Sequence, residues 1–138
     1  MNKAERIAEL VAEALNGETF DPAIVANVDW LPRFDTTPNQ SLVVTVRPGV
    51  ETSVSSARNL FLHTYGIDIG VMVNVAAVDR ATLQPYSDLV QSIKDFCQSR
   101  PFPRECCSLS VVGRTGPDPG ALRDKVFLAV IHLEFQGA

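Results

Sequence analysis

The sequence predicts an α+β fold: an antiparallel sheet of about five strands with two main helices, in the order α-β-β-β-α-β-β, and a long projecting hairpin. Three observations predict it. Two segments carry apolar residues at helical spacing, one at the amino terminus and one past the middle of the chain. A run from Arg58 to Ala77 alternates with period two, far longer than an ordinary strand. The connections between successive strands are short, which favours antiparallel pairing. At 138 residues the chain is read as one domain, 1–138, long enough for a real core.

Taken in order, Ile7, Leu10, Val11, Ala14 and Leu15 form the first helical stripe, and Asn16-Gly17 supplies its stop. Glu5, Glu9 and Glu13 line the opposite face as a solvated acidic stripe or a surface for a basic partner. Ile24 to Leu31 alternates weakly and is expected as a strand ending at Pro32, followed by a polar loop over 35–40. Leu42 to Arg47 is the second expected strand, broken by Pro48-Gly49, and the Ser/Thr-rich stretch Glu51 to Ser56 is expected to be flexible. In the long strand, Phe61, His63, Tyr65, Ile67, Ile69, Val71, Val73 and Val75 share one face. Some twenty residues at about 3.3 Å each span roughly 65 Å, whereas a globule of this length is roughly 37 Å across. Such a strand must bend, with Gly66 or Gly70 as the places for it, or leave the domain as an arm.

Thr82 is the expected cap of the second helix, with Pro85 in its first turn and Tyr86, Leu89, Val90, Ile93, Phe96 and Cys97 as its stripe. Pro101 bars its continuation. Cys107 to Gly113 is expected as a short strand, Gly113 to Gly120 as a loop, and Lys125 to Phe135 as the final strand. That last strand is unusual. Phe127, Ala129, Ile131, Leu133 and Phe135 face one way, but Val126, Leu128 and Val130 make the other face apolar too, before His132 and Glu134. Two helices are too little to cover both faces of a five-stranded sheet, so a second copy is expected over this one.

The apolar fraction is 46% and the formal charge −4, with the twelve basic residues dispersed, which argues against a nucleic-acid binder. No apolar run reaches the roughly 18 residues of a membrane span, and the early glutamates argue against a secretory signal. Three cysteines, two of them adjacent (Cys106, Cys107), build no disulfide framework and point to a reducing compartment.

Residues with chemistry are few. His63 and His132 each fall on an expected strand, and no Cys or His pair has a zinc spacing, so neither a metal nor a cofactor is expected. Cys106 or Cys107 as a nucleophile with His132 as its base is a conceivable thiol enzyme, without a helix N-terminus or cation cluster to lower the thiol pKa. Gly113-Arg114-Thr115-Gly116 lacks the phosphate-loop pattern. Asp68 and Asp29 read as lone carboxylates. No catalytic set emerges, and the expectation is a protein that is not an enzyme.

Three blocks remain: Trp30-Leu-Pro-Arg-Phe-Asp35, Leu42-Val-Val-Thr-Val-Arg-Pro-Gly-Val-Glu51 and Tyr65-Gly-Ile-Asp-Ile-Gly-Val71. In this order and spacing they resemble the small neck and tail-completion proteins of tailed bacteriophages, a group that includes the tail terminators. The resemblance implies a structural subunit of a homo-oligomeric ring, often a hexamer, that caps the tail tube or joins it to the head connector. DNA would pass through such a ring without sequence-specific binding. It also implies a place in the virion, reached through assembly in the host cytoplasm, with tail-tube and connector proteins as partners and no membrane contact. On this reading the long hairpin packs on an adjacent subunit, and Arg33, Arg47 and Arg58 pair with a neighbour's acidic residues, Glu5, Glu9 and Glu13 among them. Glu51, His63, Tyr65, Val126, Leu128 and Val130 complete the expected interface. A head-completion or tail-tube relative is the nearest alternative, and a monomeric binding module or the thiol enzyme the more distant ones.

Overall fold

The computed structural model describes residues 2–29, 42–58, 60–99 and 108–137. It is an α+β fold. The elements run α1 (Lys3–Asn16), β1 (Ala26–Val28), β2 (Val43–Ala57), β3 (Leu60–Asn74), α2 (Arg80–Ser99), β4 (Ser108–Thr115), α3 (Pro119–Arg123) and β5 (Val126–Gly137). The strands form a sheet of order β1-β2-β3-β5-β4. The β2–β3 and β4–β5 pairs, between consecutive strands, are antiparallel as the short connections predict, and β3–β5, whose strands are separated by α2, β4 and α3, is antiparallel as well.

The sheet is mixed rather than antiparallel throughout, because β1 pairs parallel with β2 (Ala26↔Val44, Val28↔Val46). A parallel return needs a connection of about a dozen residues or more, and residues 29–42 provide it. The first expected strand, Ile24 to Leu31, shortens to Ala26–Val28. Its carboxy-terminal part lies outside the described residues.

Helix α1 follows its predicted stripe: Ile7, Val11 and Leu15 are buried against the sheet. Asn2 caps it, its Oδ1 accepting from the Glu5 amide at 2.8 Å while its Nδ2 donates to Glu5 Oε1 at 3.2 Å. At the other end Asn16 does more than stop the helix. Its side chain accepts from the Ala26 amide at 2.7 Å and donates to the Ala26 carbonyl at 2.9 Å, tying α1 to β1. Helix α2 begins earlier than Thr82. Asp79 is the cap, accepting from the Thr82 amide at 2.8 Å; hydrogen bonds from Thr82 hold its carboxyl below the usual range. Pro85 therefore lies inside the helix rather than in its first turn.

Both long helices cover one face. Ile67, Ile69, Val71 and Val73 of β3 join Phe127, Ile131 and Leu133 of β5, Val44 and Val46 of β2, and Leu89, Val90 and Ile93 of α2 in a single buried cluster. The T-shaped contact of Phe20 with Phe96, centroids 5.6 Å apart, closes it between the helices. On β5 the burial alternates as the sequence pattern requires, with Val126, Leu128 and Val130 half-buried on the other face.

Three expectations about the remaining segments change. The stretch Glu51 to Ser56 is strand, not flexible loop: β2 continues past a bulge between Pro48 and Glu51 and pairs along β3 to Ala57↔Leu60. Serine and threonine are compatible with a ladder once a partner strand supplies the hydrogen bonds, and Thr52↔Thr64 and Ser53↔His63 do so. The long strand occupies Leu60–Asn74, about 50 Å of extended chain; Arg58 lies in the turn, and Val75 leaves the ladder, donating instead to the Lys125 carbonyl. The loop expected over 113–120 holds the end of β4 and the start of α3. Gly116 makes that turn at φ 108°, and a Cβ there would lie 2.9 Å from Ala129 Cα and the Leu128 carbonyl oxygen.

Candidate functional site

Strand β3 changes surroundings along its length. From Tyr65 onward its inner-face residues are buried; from Leu60 to Leu62 it is exposed. The reason is coverage. Strand β5 ends at Gly137 opposite His63, so among the described residues those nearer the turn pair only with β2. The tip of the β2–β3 hairpin is a two-stranded ribbon, and such a ribbon is marginal by itself. It is also apolar. Leu60 is 58% exposed, Phe61 54% and Leu62 38% on β3, opposite Val54 at 58% on β2; Val50, in the bulge, is 77% exposed. Together these five make up most of the exposed large hydrophobics among the described residues.

At the root of the ribbon, on the face away from the long helices, four ionisable side chains form a ladder across three strands. Arg47 of β2 donates to Asp68 Oδ2 at 3.1 Å, the two residues being register partners. Asp68 Oδ1 meets His132 Nδ1 at 2.6 Å, again between register partners, on β3 and β5. His132 Nε2 meets Glu134 Oε1 at 3.2 Å. With the imidazole protonated, the signs alternate along the row. The bond to Asp68 is the largest cause raising the His132 pKa; partial burial opposes it, and Glu134 adds to the rise. Glycines frame the imidazole: Gly113 is its partner on β4, and a Cβ on Gly66 would lie 3.3 Å from His132 Cε1 and 3.1 Å from the Val50 carbonyl oxygen. The ring therefore packs against bare backbone beside the bulge.

The expected interface residues sort as follows. Arg58 and Glu51 are exposed on the ribbon. His63 bonds Ser53 Oγ at 2.7 Å and stands 4.0 Å from Glu51. Arg47 is engaged within its own chain by Asp68, so it is not a spare cation for a neighbour. Tyr65 is a core residue, 5% exposed, with Lys3 Nζ over its ring at 5.6 Å; it cannot serve as a surface contact. Arg33, Cys106, Cys107 and the whole of the Trp30–Asp35 block lie outside the described residues.

The ladder itself was missed in the sequence, where Asp68 reads as lone and His132 as an isolated strand histidine. Half of the signal was present, since His132 and Glu134 are two apart on a strand and share a face. Cys97 is buried, and burial pushes its thiol up to about 12, far from a nucleophile. Among the described residues no group of three or more His, Cys, Asp or Glu side chains is arranged to hold a metal, and no helix is long and apolar enough to cross a membrane.

No family model matches this chain, and no curated protein matches its sequence.

Proposed function

We propose that the protein is a structural ring subunit of the neck or tail-terminator kind in a tailed bacteriophage, one that caps the tail tube or joins it to the head connector around the DNA channel. The observation that carries the reading is the apolar ribbon. A monomer gains nothing from leaving Val54, Leu60, Phe61 and Leu62 in water at the end of a two-stranded hairpin. Burying them against the next subunit stabilises the ribbon and the assembly together, and repetition of one heterologous contact closes a ring when the rotation allows it. The three sequence blocks that resemble neck and tail-completion proteins support the same reading. On it the partners are further copies of the chain, a hexamer being the expected ring, with tail-tube and connector proteins above and below. The protein's place is then the virion, after assembly in the host cytoplasm.

Sedimentation velocity over a concentration series, with electron microscopy of the heaviest species, tests it. Rings at high concentration in the native chain, and monomer in a Leu60→Ser, Phe61→Ser variant with an unchanged far-UV spectrum, are expected. A native chain that stays monomeric at every concentration, or a variant that assembles as well as the native chain, sinks the proposal.

A further inference from the structure

The ladder has a property that follows from hydrogen-bond inventory alone. A neutral imidazole carries one N–H and one lone pair, whereas both ring nitrogens of His132 face carboxylate oxygens, at 2.6 and 3.2 Å. Both contacts are donated only by the imidazolium. With the ring protonated, the row Arg47, Asp68, His132, Glu134 is neutral overall; once the proton leaves for solvent, one carboxylate faces a lone pair and the row carries a net negative charge.

Location gives this chemistry an output. Asp68 and its partner Arg47 are the last register pair but one before the bulge at Pro48/Glu51. Gly49 is equally tight there: a Cβ on it would lie 3.2 Å from the Gly66 carbonyl oxygen and 3.6 Å from Asp68 Oδ2. Bulges concentrate twist and aim the strands beyond them. We infer that the four-residue ladder is a proton-operated latch on the root of the ribbon: the doubly bonded imidazolium of His132 clamps β2, β3 and β5 and seats its ring on Gly66 beside the bulge, and loss of the proton frees Glu134, unseats the ring and loosens the ribbon.

Among the described residues, the charged groups facing the ring are Asp68 from β3 and Glu134 from β5, with Arg47 of β2 acting through Asp68; its β4 register partner, Gly113, brings none. The direction of the pH effect follows. Because the folded-state pKa is raised above the unfolded value near 6.5, the stabilisation is fully present below that value and is lost as pH rises through the higher, folded one. The latch depends on contacts within one chain, so it stands or falls separately from ring formation.

The test uses the full chain under conditions where it is monomeric. The His132 ring nitrogens are followed by NMR from about pH 5 to about pH 8, together with amide-exchange protection, corrected for intrinsic rates, over 49–55 and 62–66. The latch requires a His132 midpoint above 6.5 and a several-fold fall in ribbon protection at that midpoint, while α2 protection stays constant. His132→Gln should show low ribbon protection at every pH. Glu134→Gln, which keeps the ring, should lower the midpoint and weaken the pH step. A midpoint at or below 6.5, ribbon protection indifferent to pH, or the same pH step in His132→Gln overturns the proposal.

Discussion

Strand β3 belongs to two different molecules, physically speaking. From Ile67 to Val73 its inner face is sealed under the helices, with β5 on one side and β2 on the other. From Leu60 to Leu62 the same kind of side chain stands in water beside a single partner strand. Alternation is nearly unbroken across both halves, so pattern does not distinguish them; the extent of the neighbouring elements does. Stability resides in the covered half, and the proposed ring contact in the bare half. Substitutions in the two should therefore separate cleanly in their effects.

The largest expected effect lies in the covered half. Phe127→Ala removes a fully buried ring that also contacts Tyr86 at 5.9 Å, and is expected to cost about 3–5 kcal/mol by denaturant unfolding. Next comes Gly116→Ala at the turn into α3, where both the positive φ and the crowding against Ala129 oppose a side chain, with an expected loss of about 1–3 kcal/mol. Asn16→Ala releases the Ala26 amide and carbonyl together and should cost about 1–2 kcal/mol, with exchange protection falling first in β1. Smallest for stability is the ribbon pair Leu60→Ser and Phe61→Ser, within about 0.5 kcal/mol of the native chain because both residues are already exposed. That same pair is expected to remove association. A ribbon variant as destabilised as Phe127→Ala would erase the distinction between the halves.

How far the sequence revealed this can be argued element by element. The stripe of α1, the alternation of β3 and the inner face of β5 were legible because burial is written into periodicity. The second half of β2 was not, because Glu51 to Ser56 has a loop-like composition and becomes strand only through its register with β3. The parallel placement of β1 was equally hidden, since strand direction depends on where a long connection returns. Tyr65 shows the opposite failure: the resemblance implies an interface role for it, although the alternation already places it in phase with Ile67 and Ile69, and it is buried. For the charge ladder, the pairing of Asp68 with His132 joins residues far apart in the chain through the β3–β5 register. No local signal encodes such a match.

The ribbon is also unequal across its width. Strand β2 brings Glu51, Thr52, Ser53 and Ser55 to the tip with Val54 as its one large apolar residue there, while β3 brings Leu60, Phe61 and Leu62. The outer edge of this pair, where an intruding strand would add, is thus hydroxyl-rich and bears a charge, the kind of edge that resists runaway stacking. Among the described residues, the apolar strand lacks a β5 partner only beyond Gly137, over about three residues. That is enough to engage one built partner and too short to template a fibril. If the ribbon docks as proposed, this asymmetry favours one shaped partner over open-ended strand addition.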